Sequence, residues 1–188
     1  MARSEWAANG GHRVLVEVRV HSLGMDRVAN QPVVILKEKD GRRVLPIWIG
    51  PNEANAIATH LAGLQPPRPL THDLLVSALK GMGGTVTRAV IARVHQNTYY
   101  AELVVHRDGE VLSIDARPSD SIAVALRTDA HIFADDSLLE ERTIEVLSTE
   151  PEAEGSPAEA GEVRQMDADE LQAYLRRLDP EDFGRFRP

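Results

Sequence analysis

Residues 85–116 constrain the fold of this 188-residue chain more than any other stretch. "TVTRAVIARV", "TYYAELVV" and "EVLSIDA" are short segments rich in β-branched and apolar residues, which is typical of β-strands. Turn-forming residues separate the segments at His95–Asn97 and at Asp108–Gly109. Because such short connections join neighbouring antiparallel strands, the sequence predicts a three-stranded meander.

Two further patterns extend the predicted sheet. In "RVLVEVRV" every second residue from Val14 to Val20 is valine and the intervening positions include Glu17 and Arg19, which predicts a half-buried strand. "PVVILKEKDGRRVLPIWI" predicts two strands joined at Asp40–Gly41.

Three helices are predicted between these strands. The first begins at Pro51 and ends at Gly63, the second has Thr71 as its N-cap, and the third begins within "IDARPSDSIAVALR", where Ser119 is a good N-cap. The expected fold class is α+β. It consists of a compact mixed, largely antiparallel β-sheet with three packed helices, plus a short C-terminal helix after an acidic linker.

The composition changes near residue 148 and sets the expected domain boundaries. We expect a flexible tail at residues 1–12, a folded domain at 13–146, an acidic disordered linker at 147–165 and a C-terminal helical segment at 166–188. "STEPEAEGSPAEAGE" contains no apolar residue larger than alanine, so it cannot offset its own ordering entropy. The last segment carries an apolar stripe from Leu171 to Leu178, and an isolated helix this short is expected to dock on another surface.

Composition excludes several classes of protein. The absence of cysteine excludes disulfides, thiolate metal sites and a cysteine nucleophile. The N-terminus lacks a signal-peptide pattern and no apolar run approaches a membrane span, so we expect a soluble cytoplasmic protein with no membrane contact. Of the net charge of −8, residues 150–188 supply −6, from eleven acidic and five basic residues. Neither half has the basic excess of a high-affinity nucleic-acid binder.

Polar residues gather at the predicted helix starts: Glu53 in the first, Thr71, His72 and Asp73 in the second, and residues 115–120 in the third. Each has a structural alternative, because caps and first-turn carboxylates stabilise helices. Together they supply what phosphodiester hydrolysis needs: carboxylates for a divalent cation, an imidazole to move protons and a guanidinium to neutralise charge. Oxygen ligands without thiolates favour Mg²⁺ or Mn²⁺, and no organic cofactor is expected.

Four motifs resemble one known family. "LPIWIGPNEANAIATHL", "RPLTHDLL", "TYYAELVV" and "IDARPSDSIAVALR", in this order and spacing, closely resemble the bifunctional nuclease domain family over residues 13–146. Members occur in bacteria and plants and are reported to cleave DNA and RNA, and the C-terminal helix resembles actinobacterial members. The resemblance implies a homo-oligomer, with a dimer favoured, and a shared cleft of catalytic residues. By position these residues are Glu53, His72, Asp73, Asp115, Arg117, Ser119 and Asp120.

Two functions follow from these observations. The first is a nuclease that hydrolyses DNA and RNA as transient substrates with little sequence preference and with a divalent metal. Asp115, Asp120 and Glu53 would be metal ligands or proton carriers, His72 the general acid or base, and Arg117 the phosphate clamp. The second is a non-catalytic oligomeric binding or regulatory module that uses the same cleft for an anionic ligand, with a protein partner for the acidic C-terminal tail. Convergence of the carboxylates on one point would favour the first, and carboxylates on separate helix ends the second.

Overall fold

The structure is a computed structural model that describes residues 13–26, 29–141 and 163–166. The strands are β1 (Leu15–Asp26), β2 (Gln31–Glu38), β3 (Val44–Trp48), β4 (Thr85–His95), β5 (Thr98–Arg107), β6 (Glu110–Ala116), β7 (His131–Asp135) and β8 (Val163–Met166). The helices are α1 (Pro51–Leu61), α2 (Thr71–Gly81) and α3 (Pro118–Thr128), and a short 3₁₀ helix covers Asp136–Leu138.

The strands form one sheet in the order β3-β2-β1-β7-β4-β5-β6, and β8 pairs with β1 outside this path. All of these pairs are antiparallel except β4 with β7, which is parallel. The predicted meander is β4-β5-β6. Its two turns place Gln96–Asn97 and Asp108–Gly109 at positive φ, as two-residue hairpin turns between twisted strands require. The α+β prediction with a largely antiparallel sheet is confirmed.

The main core lies between the sheet and the helices. It contains residues from β1 to β5 and β7 together with the inner faces of α1 and α3. Helix α3 contacts both other helices and strands β4, β5 and β7. Ser121, Ile122, Ala123, Val124 and Ala125 are all fully buried, because the small side chains in "SIAVA" allow close approach on several sides of this helix.

Two predicted caps are wrong. The N-cap of α2 is Leu70 rather than Thr71, and the N-cap of α3 is Arg117 rather than Ser119. In α2 the Asp73 carboxylate accepts a 2.8 Å hydrogen bond from the backbone N–H of Leu70, so the third helical residue satisfies the helix start. In α3 the first helical position belongs to Pro118, whose missing N–H costs nothing there.

The short strand β8 (Val163–Met166) lies where the predicted linker 147–165 meets the predicted C-terminal segment 166–188. It pairs with Leu23–Asp26 of β1. The N-terminal half of β1 pairs with β7. Along the same edge of β1, beyond the end of β7, the backbone of β1 pairs with β8 instead. The rest of the predicted linker, the N-terminal tail and the C-terminal helix lie outside the described residues.

Each of the three helices in the described part of the chain has eleven residues. None of them has both the length and the apolar composition that crossing a membrane requires.

Candidate functional site

The three helices share one feature at their starts: each has an acidic residue at the third helical position. These residues are Glu53 in α1, Asp73 in α2 and Asp120 in α3. A carboxylate there complements the positive end of the helix dipole, which explains the recurrence. What distinguishes the three is the group that each carboxylate contacts outside its own helix.

Arg117 joins the starts of α1 and α3. Its Nη2 lies 2.9 Å from Oε1 of Glu53, and its Nε lies 2.8 Å from Oδ2 of Asp120. Nη2 also donates to Oδ1 of Asp120 at 3.3 Å. The hydrogen bonds that Arg117 donates to Asp120 raise the pKa of Arg117 above its usual value. The Arg117 side chain is nonetheless 67% exposed, so a solvent-borne anion has access to it.

His72 connects the start of α2 to the same carboxylate. Its Nε2 lies 3.1 Å from Oδ1 of Asp120, and its side chain is only 13% exposed. The hydrogen bond from His72, followed by those from Arg117, lowers the pKa of Asp120 from 3.8 to about 2. Asp120 is therefore a carboxylate at neutral pH, and its role in this arrangement is to orient His72 and Arg117. We call Glu53, His72, Arg117 and Asp120 the Arg117 cluster.

A cavity of about 340 Å³ lies beside the Arg117 cluster. Its walls come from residues 47–50 and Glu53, from the β4-β5 turn at residues 97–99, and from residues 117–119. Gly50 caps α1 without a side chain, and a Cβ at that position would meet the carboxylate of Glu53. Ser119, a predicted site residue, lines the cavity and is 6% exposed. Five of the seven predicted residues therefore belong to the Arg117 cluster or lie next to it: Glu53, His72, Arg117, Asp120 and Ser119.

Asp73 makes a separate ion pair. Its Oδ1 accepts a 2.6 Å hydrogen bond from Nε of Arg127, whose side chain is only 6% exposed. The other guanidinium nitrogens of Arg127 donate to the backbone oxygens of Ala123 and Ala56, each at 3.0 Å. Burial alone would raise the pKa of Asp73, but the hydrogen bonds from Arg127 and Leu70 outweigh burial and lower it. This pair ties the start of α2 to α3 and α1.

Asp115 lies on the other face of the sheet. It is exposed in β6 and pairs with Glu102 of β5. The neighbours of Glu102, Ala101 and Leu103, belong to the core under the helices. Because side chains alternate along a strand and paired residues share a face, Glu102 and Asp115 project away from the helices. The structure therefore does not bring Asp115 to Glu53 and Asp120.

The expected metal ligands do not form a site in the part of the chain that the structure describes. No group of three or more acidic or histidine side chains there has a geometry that would hold a metal ion. Glu53 and Asp120 instead share the cation Arg117, and Asp115 is on the opposite face. These residues do not fit the expected set of metal ligands, so the chemistry below is argued without a metal.

The sequence analysis did not single out Arg127, which pairs with Asp73. It also did not single out two aromatic residues that line the cavity, Trp48 and Tyr99. Arg127 was within the quoted motif, but a basic residue in the last turn of a helix is a common way to complement the dipole. Its burial depends on how three helices pack, and no local pattern carries that information. Trp48 and Tyr99 fit their strands, which gave no reason to single them out.

Comparisons with known proteins agree with these motifs. The model of the family described as "Bifunctional nuclease domain" matches residues 34–147. An uncharacterized protein of Mycobacterium tuberculosis is 36% identical over 167 residues, which cover 89% of this chain and 97% of that protein. Bifunctional nuclease 1 of Arabidopsis thaliana is 32% identical over 104 residues, and bifunctional nuclease 1 of Oryza sativa subsp. indica is 25% identical over 122 residues.

The two plant matches cover 53% and 63% of this chain but only 32% and 37% of the plant proteins. Similarity to the mycobacterial protein extends over nearly its whole length, whereas the similarity to the plant nucleases is confined to one domain. The family match alone covers more than half of the 188 residues and includes α1, α2, α3 and the whole Arg117 cluster. The chain belongs to the bifunctional nuclease domain family.

Proposed function

We propose that the chain hydrolyses phosphodiester bonds of DNA and RNA at the Arg117 cluster. The observation that carries this proposal is that one carboxylate, Asp120, holds both an imidazole and a largely exposed guanidinium at the meeting point of three helix starts. Helix N-termini favour anions, and Arg117 adds a full positive charge with N–H groups in a fork that matches phosphate. Plant relatives that carry the name bifunctional nuclease support the assignment of a nuclease activity.

His72 is the residue that we assign to proton transfer. A neutral imidazole that donates Nε2–H to Asp120 keeps Nδ1 as its proton acceptor. In hydrolysis, Nδ1 would take a proton from the attacking water as the new P–O bond forms. The P–O bond to the leaving oxygen would break, that oxygen would take a proton from water, and the imidazolium would release its proton to solvent. The Asp120 carboxylate stabilises the resulting imidazolium, as in other Asp–His pairs. Arg117 would bind the phosphate oxygens as negative charge builds up on them.

The test is a cleavage assay on labelled DNA and RNA with the purified full chain, Asp120→Asn and Arg117→Lys. Loss of the charge that orients His72 should lower kcat at least about a hundredfold on both substrates. Lysine keeps the charge but loses the fork, so the loss should be on the order of tenfold or more. The matched control is Asp129→Asn at the other end of α3, where the left-handed conformation suits asparagine. Full activity in Asp120→Asn would refute the assignment.

A divalent metal remains a prediction, and the same assay tests it by comparing Mg²⁺, Mn²⁺ and a chelator. If activity requires the metal, its ligands are not a preformed group of acidic or histidine side chains among the described residues. A homo-oligomer, a protein partner for the acidic C-terminal segment and a cytoplasmic location also remain predictions.

One specific observation favours the alternative, a non-catalytic binding module. The carboxylates expected to converge are divided between Arg117, Arg127 and the opposite face of the sheet. A module of this kind would bind an anion at Arg117 and release it unchanged. In that case the wild type and Asp120→Asn would both bind oligonucleotides, and neither would cleave them with any metal.

A further inference from the structure

Two aromatic residues, Trp48 and Tyr99, line the cavity beside the Arg117 cluster. Trp48 is 40% exposed, and its Nε1 donates a 2.9 Å hydrogen bond to Oδ2 of Asp26. Because Leu45 and Ile47 of the same strand belong to the main core, alternation along the strand places the indole of Trp48 on the face of the sheet away from the helices. Tyr99 packs against the main core and is half-buried, so its ring is held at the cavity before any ligand arrives.

The size and position of the cavity suit one nucleotide. At about 340 Å³ it is at the lower end of the range of small-molecule sites, about 300–1,000 Å³. Arg117 and Glu53 form part of its wall, so a phosphate held by Arg117 would place the attached sugar and base at the mouth of the cavity. A base in a duplex is paired and stacked, and it does not enter such a cavity unless it leaves the helix.

The charge of the chain leads in the same direction. Residues 1–149 carry a net charge of −2, which is not the basic excess by which proteins bind a duplex backbone. Affinity for nucleic acid must come from another source. Stacking of a base on an aromatic ring is such a source, and it tolerates every sequence because all bases have a flat face. Stacking also does not depend on the 2′-hydroxyl, which distinguishes RNA from DNA.

We infer that the cavity binds an unpaired base against Tyr99 while Arg117 binds the adjoining phosphate, so that the preferred substrate is single-stranded DNA or RNA. The inference rests on the proposed function for the phosphate at Arg117. The base site itself is a binding property, and it can be measured whether or not the chain cleaves anything.

Tyr100 provides a matched control for Tyr99. It is the next residue in β5, so its side chain projects from the opposite face of the sheet, and the guanidinium of Arg93 lies 3.9 Å above its ring. Tyr99→Leu and Tyr100→Leu remove the same atoms from two faces of one strand. Tyr99→Phe keeps the aromatic face and removes only the hydroxyl.

The first experiment measures binding of AMP and of ribose 5-phosphate, which has the same sugar and phosphate without the base. The full-length wild type, Tyr99→Phe and Tyr100→Leu should bind AMP about tenfold more tightly than ribose 5-phosphate, and Tyr99→Leu should lose this preference. Equal affinity of the wild type for both compounds would overturn the inference. An equal loss of preference in Tyr99→Leu and Tyr100→Leu would also overturn it, because the effect would then be structural.

The second experiment needs no variant of Tyr99, so it remains decisive if Tyr99→Leu does not fold. Wild-type protein is given a single-stranded oligonucleotide, the matching duplex and a single strand with abasic sites. The duplex and the abasic strand should each bind about tenfold more weakly than the intact strand. Equal binding of all three oligonucleotides would refute a base site.

The base site and the proposed function fail in different ways. A chain that prefers AMP and single strands but cleaves neither DNA nor RNA would keep the base site and refute the nuclease. A chain that cleaves duplex and single strand equally, with no preference for AMP, would keep the nuclease and refute the base site.

Discussion

Asp73 and Asp120 occupy the same position in two helices, yet we expect opposite consequences when each is replaced by asparagine. Asp73→Asn removes the charge that faces the buried Arg127, whereas Asp120→Asn removes the charge that orients His72 and the exposed Arg117. The first change should lower stability and leave turnover of the folded protein intact. The second should abolish turnover in a protein that still folds.

The expected loss in Asp73→Asn follows from the burial of its partner. Removing one member of a buried ion pair costs about 3–5 kcal/mol. The Asp73 side chain is 34% exposed, so water compensates in part, and asparagine still accepts the hydrogen bond from Leu70. We therefore expect about 2 kcal/mol for Asp73→Asn, which corresponds to a fall in Tm of about 4–8 °C in a protein of this size. Asp73→Ala also loses the helix-start hydrogen bond and should cost about 3 kcal/mol.

The assay combines urea unfolding, followed by far-ultraviolet circular dichroism, with cleavage measured at a temperature at which every variant is folded. A double-mutant cycle of Asp73→Ala with Arg127→Met should give a coupling energy of about 2 kcal/mol. The reasoning fails if Asp73→Asn unfolds at the wild-type urea concentration but loses activity as Asp120→Asn does. That result would return Asp73 to the catalytic residues.

Two further outcomes concern α3. Ser121→Ala should raise the free energy of unfolding by about 1 kcal/mol in thermal or urea unfolding, because within the described residues the Ser121 hydroxyl is buried without a hydrogen-bond partner. A loss of stability in this variant would show that the hydroxyl forms a hydrogen bond in solution. The free energy of unfolding of the wild type should fall as the pH is lowered from about 4 to about 2. Folding lowers the pKa of Asp120 from 3.8 to about 2, and the resulting stabilisation is complete only at pH values above the pKa of the unfolded state. Asp120→Asn should flatten that part of the plot of unfolding free energy against pH, and an unchanged slope would show that the bonds to His72 and Arg117 do not form in solution.

Six of the eight strands in the described part of the chain were predictable because their signals are local, whereas β7 and β8 were not predicted. The β4-β5-β6 meander depends on alternating apolar residues and on two turns whose residues tolerate positive φ, and both can be recognised within a few residues of sequence. The helix starts were predictable to within one or two residues. Their caps were not, because the hydrogen bond that replaces Thr71 as the cap comes from Asp73, and a sequence pattern offers both residues as candidates.

The candidate site was predictable as a set of residues and not as a geometry. Local spacing placed Glu53, His72 and Asp120 at helix starts, and the fold brings these starts together. The register of β6 against β5 determines which face of the sheet carries Asp115. A shift of one residue in this register would move every side chain of β6 to the other face. The pairing of Asp73 with Arg127 depends on the packing of α2 against α3, and the two residues are 54 positions apart in the sequence.

The exposure of the partner arginine explains why one arrangement serves two purposes. In both ion pairs an acidic residue at the third helical position holds an arginine. Arg127 is 6% exposed and each of its three guanidinium nitrogens donates a hydrogen bond inside the protein, so its pair stabilises the packing of three helices. Arg117 is 67% exposed, and the two carboxylates that hold it leave its charge within reach of solvent. A phosphate can compete for the second arginine and not for the first. The chemistry of this family is therefore expected where the carboxylate leaves its arginine exposed, at Asp120 and not at Asp73.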